Sequence, residues 1–445
     1  MEYLIRFAQV HESFRKPEIE ALAALVGTNV EFLAYAENHP NVLNQTPFAV
    51  VKLQDEAAAR AVICRSILAK GIYEIWGHGK TYEELHMDIR NRTEARWNNF
   101  KSKSFKFSVD SYAGKRSANE KTQIIHSFAY MGFQGPIRMT DPDEEFCIFE
   151  EYPCRPIKPG EARPGPNFVH FGRWIACGSR DVIDKYDLKK RNYISTTSMD
   201  AELTLVTANM ALAAPGKVFF DPFVGTGSFC VAMAHFGTHS LGSDIDGRSF
   251  SGKDRKKGKS IGLVSNLEQY GIQQYHLDAF VSDLTNSPIR STPFLDGIIC
   301  DPPYGVREGL KVLGSSLDGY IAPKKPYSFD AMLDDILDFA ARTLVQDGRL
   351  SLWMPTANED DVELKIPSHP RLELVSVCVQ PFGHWSRRLL TYRLLPDGEF
   401  SSSEPRRQRE EINGVNADDL NSFRRKVRIH YYLLYQIQAV SHGQP

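Results

Sequence analysis

Asp301-Pro302-Pro303-Tyr304 ends an apolar stretch, LDGIIC, and is followed by Gly305. Two successive prolines restrict the backbone and remove two N–H donors, which leaves carbonyls turned outward. A carboxylate, a rigid carbonyl and an aromatic ring then converge on one point. That set suits methylation of an exocyclic amine on a planar base. The amine lone pair is delocalised into the ring, so the amine is a poor nucleophile. Asp301 and the Pro302 carbonyl each accept one N–H and free the lone pair, while Tyr304 stacks on a base drawn out of its helix. Catalysis then rests on placement and electrostatics. The plain alternative, a Pro-Pro turn closing a core strand, weakens once a second motif upstream is counted.

That motif is VFFDPFVGTGSFCVA, an apolar strand running through Asp221-Pro222-Phe223 into a glycine loop and a helix. Gly225 and Gly227 let backbone amides approach a ligand and permit a tight strand-to-helix turn. The loop lacks the Gly-Lys-Ser/Thr ending of a phosphate-binding loop. Asp221 stands at the strand end, where a cationic amino group or a polar ligand edge is received. The next strand, LGSD, ends at Asp244, the place for a carboxylate that grips the ribose hydroxyls of a nucleoside cofactor. Asp246 competes for that role, or caps a helix. In HLDAFVSDLTN, Asp283 ends a third strand and is placed to accept an adenine amino group; a surface turn is its other reading.

These motifs need strands that deliver them side by side. From about residue 190, apolar strands alternate with helices (KVFFD, HSLGSD, LDGIIC, RLSLWMP), which predicts an α/β fold with a parallel, doubly wound sheet. The N-terminal part differs. YLIRFAQV, PFAVVKL and GIYEIWGHGK read as strands, with helices PEIEALAALVG and QDEAAARAVICRSILA between them, an α+β module over 1–80. Residues 81–155 predict helix, strand, helix and strand (TYEELHMDIRNR, FKFSVDSY, KTQIIHSFAYMGFQG, FCIFEEY). From His78 to Ser127 this stretch carries ten Lys and Arg against six Asp and Glu, with interleaved aromatics. It reads as an RNA-contacting surface or as a solvated face over a small core. Five prolines and two glycines in PCRPIKPGEARPGPNF mark a connector, assigned to 156–190, with a strand FVHFGRWIA after the prolines. The catalytic domain is expected over 191–396, and a polar, turn-rich tail over 397–445. The basic run from 248 to 259 reads equally as a solvated loop or a phosphate contact.

Composition excludes several classes. The 445 residues carry 53 Lys and Arg against 55 Asp and Glu, a formal charge of −2, so the chain does not coat nucleic acid by bulk charge. No apolar run approaches the ~18 residues of a membrane helix, and the start carries no secretory pattern. Seven cysteines without a Cys-x-x-Cys pair suggest reduced thiols in the cytosol or nucleus and no structural zinc site; cytoplasm is the expected location. His78, His86 and His384 lack metal-ligand spacing and read as structural, so no metal is expected.

In order, RSILAKGIYEIWGHG, KYDLKKRNYISTTSMDAEL, DPFVGTGSF, GSDIDGR, CDPPYGVRE, WMPTAN and WSRRLLTY resemble the catalytic subunits of the eukaryotic tRNA (guanine-10-N2)-methyltransferases over about residues 1–395. The resemblance implies a ferredoxin-like and THUMP region that binds tRNA, then a Rossmann-like methyltransferase domain using S-adenosyl-L-methionine. It implies that Asp221, Phe223, Gly225, Gly227 and Asp244 hold that cofactor, with Asp283 near its adenine. Thr197, in ISTTSMDAEL, closes over the methionine carboxylate. Asp301, Pro302, Pro303 and Tyr304 form the catalytic tetrapeptide. It also implies a small zinc-binding activator subunit that adds a strand to an open sheet edge, for which RLSLWMP and LELVSVCVQPF are the candidates. Val224 departs from the usual alanine, and the tail has no counterpart. Adenine N6 methylases carry the same tetrapeptide, so a DNA adenine N6-methyltransferase remains a second reading. A non-catalytic RNA-binding scaffold is a third, and the intact glycines and tetrapeptide argue against it.

Overall fold

A nearly continuous apolar run, YLIRF, builds β1 (Glu2–Phe7), buried at every position after Glu2 as a strand covered on both faces is. It belongs to the first of two sheets in the computed structural model, which describes residues 1–35, 46–154, 164–252, 261–305, 311–314, 322–326, 328–358, 366–383 and 385–398. His384, the basic run at 253–260 and the tail beyond residue 398 lie outside these described residues. The chain divides into two units, Met1–Arg180 and Asp181–Pro445.

In the first unit β1 joins β2 (Glu31–Ala34), β3 (Phe48–Lys52), β4 (Ala69–Gly79), β5 (Phe105–Tyr112), β6 (Glu144–Glu151) and β7 (Phe168–Cys177). Their order is β2-β3-β1-β4-β7-β6-β5, antiparallel throughout except for the β5–β6 pair. Helices α1 (Glu12–Leu25), α2 (Glu56–Ile63), α3 (Tyr82–Thr93) and α4 (Ala118–His126) accompany it. Asp55 and Thr81 cap α2 and α3 by accepting from Ala58 and Glu84 amides, and Ser117 with Glu120 forms a capping box on α4. Trp76, Leu85, Ile89, Phe128, Phe146 and Phe171 form one core between the sheet and α3.

The sheet corrects the division read from sequence. It runs unbroken from the 1–80 segment into 81–155, because β4 bonds to β7 and β7 to β6. β7 lies inside the span assigned to a connector, and the unit continues to Arg180. The proline-rich stretch falls in the chain between β6 and β7, two neighbouring strands of one sheet, and the unit boundary comes after it.

The second unit contains α5 (Val182–Lys185), α6 (Ala201–Met210), β8 (Val218–Asp221), α7 (Ser228–His235), β9 (His239–Asp244), α8 (Arg248–Ser251), α9 (Leu263–Tyr270), β10 (His276–Val281), β11 (Leu295–Cys300), β12 (Lys311–Gly314), β13 (Ala322–Pro326), α10 (Phe329–Thr343), β14 (Leu344–Ala357), β15 (Leu372–Phe382) and β16 (Trp385–Leu394). The main sheet runs β10-β9-β8-β11-β14-β16-β15. β10 through β14 in that order pair in parallel, and β16 pairs antiparallel with both neighbours. Phe220, Ile298, Cys300, Leu350 and Leu352 meet Leu333, Ile336, Leu337 and Ala340 of α10 in its core. RLSLWMP, one of the two expected edge segments, falls in β14 between β11 and β16 and is interior. The sheet edges are β10 and β15.

Candidate active site

β9, β8 and β11 are neighbours and parallel, so residues at their C-terminal ends share one crevice where the strand order reverses. Asp221, Asp244 and Asp301 occupy those ends. Asp221 is buried, and its Oδ1 accepts from the Phe223 amide at 3.0 Å. Burial pushes its carboxyl well above the usual range, and the charges of Asp244 and Asp301 push it further. Asp244 Oδ2 accepts from the Gly225 amide at 3.1 Å and Oδ1 from the Asp246 amide at 2.9 Å. It therefore ties the glycine loop to β9, and burial raises its pKa as well. Asp246 faces outward to Arg248, with Nε at 2.9 Å, which leaves Asp244 as the carboxylate at the crevice.

The loop backbone is left-handed at Gly225 (φ 50°) and Gly227 (φ 80°). A Cβ at Gly227 would stand 1.8 Å from Leu263 Cδ1, so α9 closes against the loop there. At Gly225 the nearest atom beyond its chain neighbours to such a Cβ is the Phe223 carbonyl oxygen at 3.9 Å, so the space above the loop is open. Open space over the loop, beside buried Asp221 and half-buried Asp244, fits a cationic nucleoside ligand. Asp283 is also buried, after β10, and its Oδ1 accepts from the Thr285 amide at 2.9 Å and hydroxyl at 3.0 Å. Part of its accepting capacity therefore holds a local turn.

Thr197 is exposed, its hydroxyl 3.0 Å from Ser195 Oγ. The residue of that segment that reaches the glycine loop is Ser198, which shares a 2.7 Å hydrogen bond with Thr226 Oγ1. Asn266 of α9 accepts from the Tyr193 amide and donates to the Tyr193 carbonyl, both at 2.8 Å, which straps the segment down. Buried Arg191 donates to Ser228 Oγ at 3.0 Å, at the first turn of α7. Sequence reasoning singled out neither Ser198 nor Arg191; the pair of Ser and Thr residues in ISTTS left the choice open.

At the third strand end, the Tyr304 hydroxyl donates to Asp301 Oδ1 at 2.5 Å, and Arg387 Nη1 lies 3.8 Å from Asp301 Oδ2. Burial raises the Asp301 pKa, while Arg387 and the Tyr304 hydrogen bond pull it down. Tyr304 is pushed well above the usual phenol range by burial and by the Asp301 charge. Pro302 is buried and Pro303 half-buried, and they carry the chain past this point. Trp385 meets Tyr304 edge-on with centroids 6.4 Å apart, and Phe382 stacks on Trp385 at 4.6 Å. This aromatic wall comes from β15 and β16. WSRRLLTY, quoted for the resemblance, thus supplies Trp385 and Arg387 to the tetrapeptide.

Residues 1–180 match the Tmrp11 THUMP N-terminal domain, and residues 189–317 match the RMKL-like methyltransferase domain. The tRNA (guanine(10)-N(2))-methyltransferase of Saccharomyces cerevisiae is 42% identical over 414 residues, covering 88% of this chain and 92% of that protein. That of Schizosaccharomyces pombe is 41% identical over 442 residues, covering 90% and 91%. The Homo sapiens protein of the same activity is 35% identical over 412 residues, covering 87% of each. The chain belongs to the tRNA (guanine(10)-N(2))-methyltransferase family. It is a methyltransferase with a THUMP N-terminal domain, and its methyl donor is S-adenosylmethionine.

Within the THUMP-containing unit, half the cations from His78 to Ser127 are held by carboxylates. Arg92 pairs with Glu2 and Asp88, Arg96 with Glu74, Lys103 with Glu144, Lys106 with Glu145, and Arg116 with Glu150. Arg90 lies over the Tyr130 ring at 4.3 Å. Phe105 and Phe107 pack on the core, as do Trp97 and Phe100. The aromatic interleaving seen in sequence therefore builds a core, and much of the charge serves internal pairs. His86 contacts Tyr130 and Ser127 hydroxyls at 3.0 and 3.2 Å, and His78 stacks on Phe168, in keeping with structural roles.

Proposed function

We propose that this chain methylates the N2 amine of guanine 10 in tRNA, as the catalytic subunit of a complex. The observation that carries the reading is the convergence of Asp301, Tyr304 and the Trp385 wall on the end of β11, beside Asp221 and Asp244. When bound, S-adenosylmethionine supplies an electrophilic methyl group on a sulfonium. Asp221, Asp244, Gly225, Gly227 and Phe223 hold it, with Asp283, Ser198 and Thr197 at its margins. Guanine offers its N1–H and N2 amine side by side, and the ionised Asp301 accepts from that edge. The Pro302 carbonyl takes the second amine hydrogen. Asp301 is then the group placed to receive the proton that the amine gives up. Tyr304 leaves Asp301 for the base, stacks on it, and with Trp385 keeps water from the amine.

The relatives' activity on tRNA and the THUMP domain favour RNA over duplex DNA. The test is methylation of an unmodified tRNA transcript by the purified protein, read by nucleoside mass spectrometry. N2-methylguanosine is expected, and it disappears when position 10 is changed to adenine. N6-methyladenine formed in duplex DNA would overturn the reading.

The partner implied by the sequence, a small zinc-binding activator, needs an edge. β10 offers one. Leu277 and Val281 are 54% and 59% exposed there, and Val264 on the adjoining α9 is 55% exposed. No residue of β10 is buried, and its outer backbone faces away from β9. Both edge strands carry a register shift, but β15, the expected edge, also carries a proline at 381, which blunts pairing. We therefore assign the activator to β10. Among the described residues no helix is long and apolar enough to cross a membrane, and the free thiols suit the cytoplasm.

A further inference from the structure

Arg387 is held more firmly than a surface arginine of an outer strand needs to be. Its guanidinium lies 5.2 Å from the Trp353 ring centroid and 5.2 Å from that of Phe382, two rings supplied by different strands. Gln380, its register partner on β15, accepts from Nε at 3.1 Å and from Nη2 at 2.7 Å. Two hydrogen bonds and two ring faces fix the plane of the group. Nη1 lies 3.8 Å from Asp301 Oδ2, and the guanidinium also bonds the Tyr304 side chain, which is itself bonded to Asp301. Every part of this clamp comes from β14, β15 and β16, the strands beyond the cofactor half of the sheet.

We propose that Arg387 is a positioning residue for Asp301, a clamped cation that keeps the catalytic carboxylate charged and aimed at the amine of the target base. The inference rests on the proposed role of Asp301. Its physical reason is that an acceptor of N–H must be ionised, since a protonated carboxyl presents a donor to the amine. Burial is what works against the ionisation of Asp301, and Arg387 and the Tyr304 hydroxyl act in the other direction. Asp221 on β8 is a second carboxyl coupled to both Asp301 and Asp244, while the adjoining Cys300 thiol is held neutral by burial and adds no charge. A mobile lysine would also bring charge. The rings and Gln380 bring a fixed direction, which suits a carboxylate that must leave one oxygen for the base.

The sign follows. Loss of the Arg387 charge raises the Asp301 pKa further, so the acid limb of turnover moves to higher pH. Arg387→Gln, assayed on tRNA with saturating S-adenosylmethionine, is expected to shift that limb upward by about 1–2 pH units. Turnover is expected to recover in part on the alkaline side, with KM for tRNA and cofactor affinity changed less than about threefold. Arg387→Lys restores much of the shift. Gln380→Leu, which unties the clamp from an edge strand and leaves the charge in place, shifts the limb the same way by less. Arg393→Gln, on the same strand but paired with Glu373 and Asp347, leaves the profile unmoved. A uniform fall in turnover at every pH for Arg387→Gln, with lysine no better than glutamine, overturns the proposal. If the glutamine variant does not fold, an unmoved profile in Gln380→Leu overturns it instead. Asp301→Ala separates the two claims. Full activity in that variant defeats the catalytic reading itself, whereas an inactive Asp301→Ala beside an unshifted Arg387→Gln defeats this inference alone.

Discussion

The Tyr304 hydroxyl is bonded to Asp301 Oδ1, so the carboxylate proposed to accept the base amine already holds a donor from its own tetrapeptide. In that proposed role the phenol stands in for the amine until the base arrives, and its hydrogen bond favours the ionised form of Asp301. Tyr304→Phe keeps the ring and removes that hydrogen bond. The Asp301 pKa then rises, and the acid limb of the pH–rate profile moves to higher pH. Above that limb turnover falls by about fivefold or less, the worth of one hydrogen bond of about 1 kcal/mol. Tyr304→Ala removes the stacking face and should cost at least about 100-fold, because base–aromatic stacking is worth roughly 1–3 kcal/mol before misplacement is counted. Equal loss in the two variants would show that the ring face does not hold the base.

Asp301 and Asp244 end neighbouring parts of one crevice yet serve different partners, and their variants should separate binding from turnover. Asp301→Ala is expected to abolish methyl transfer while cofactor affinity stays within a few-fold. Asp244→Ala removes a charged acceptor that also fixes the Gly225 amide, and should weaken cofactor binding by about 1.5–3 kcal/mol, roughly 10- to 150-fold. Calorimetric titration of S-adenosylmethionine into each variant, set beside single-turnover rates, checks both. Cofactor affinity and turnover falling together in Asp301→Ala would mean that the roles are misassigned.

Much of the site was legible in the sequence because glycines, prolines and strand-end aspartates act through the backbone, whose local rules are short-ranged. Asp221, Asp244 and Asp301 stand at strand ends, as their apolar lead-ins required. What the sequence did not give was tertiary contact. Trp385-Ser386-Arg387-Arg388 reads from sequence as a substrate edge or, for Trp385, as core, but only the return of β16 between β14 and β15 brings Trp385 and Arg387 to Asp301. Thr197 and Ser198 are adjacent hydroxyls, and nothing local chooses which one turns toward Thr226. The continuous N-terminal sheet was hidden for a similar reason, since β7 pairs with β4 across some ninety intervening residues that include a proline-rich loop. The expected helix through KTQIIHSFAYMGFQG stops at His126, where the chain turns through a short 3₁₀ segment to Gly132, with φ 66°.

Asp221 offers a test in stability. Its pKa in the folded chain is raised well above its unfolded value, mainly by burial. A raised carboxyl contributes stability that is fully present below the unfolded pKa of about 3.9 and is lost as pH rises through the folded pKa. At neutral pH, above the unfolded pKa, burial of this carboxyl therefore costs the folded chain stability. Asp221→Asn keeps an oxygen for the Phe223 amide and removes the titrating group. The variant should melt at a higher temperature than the parent at neutral pH without cofactor, and the difference should vanish below about pH 4. It should also bind S-adenosylmethionine more weakly, the usual exchange between site function and stability. A lower melting temperature at neutral pH would sink the argument.

The last prediction concerns the β10 edge. Leu277 is more than half exposed on a strand that, among the described residues, has no neighbour on one side, and a row of unpaired backbone groups beside apolar side chains invites pairing with another chain. If that edge receives the activator, the chain expressed alone is poorly soluble, and co-expression with the activator restores solubility and activity together. Leu277→Lys should then act in opposite senses on the two. It should keep the chain soluble by itself, because a lysine on an edge strand opposes further pairing, and it should prevent co-purification of the activator. Val375→Lys, on the opposite edge, changes neither, since Pro381 already removes a backbone donor from that strand. Affinity co-purification followed by size-exclusion chromatography reads both variants. Retention of the activator by Leu277→Lys and its loss from Val375→Lys would move the interface to β15.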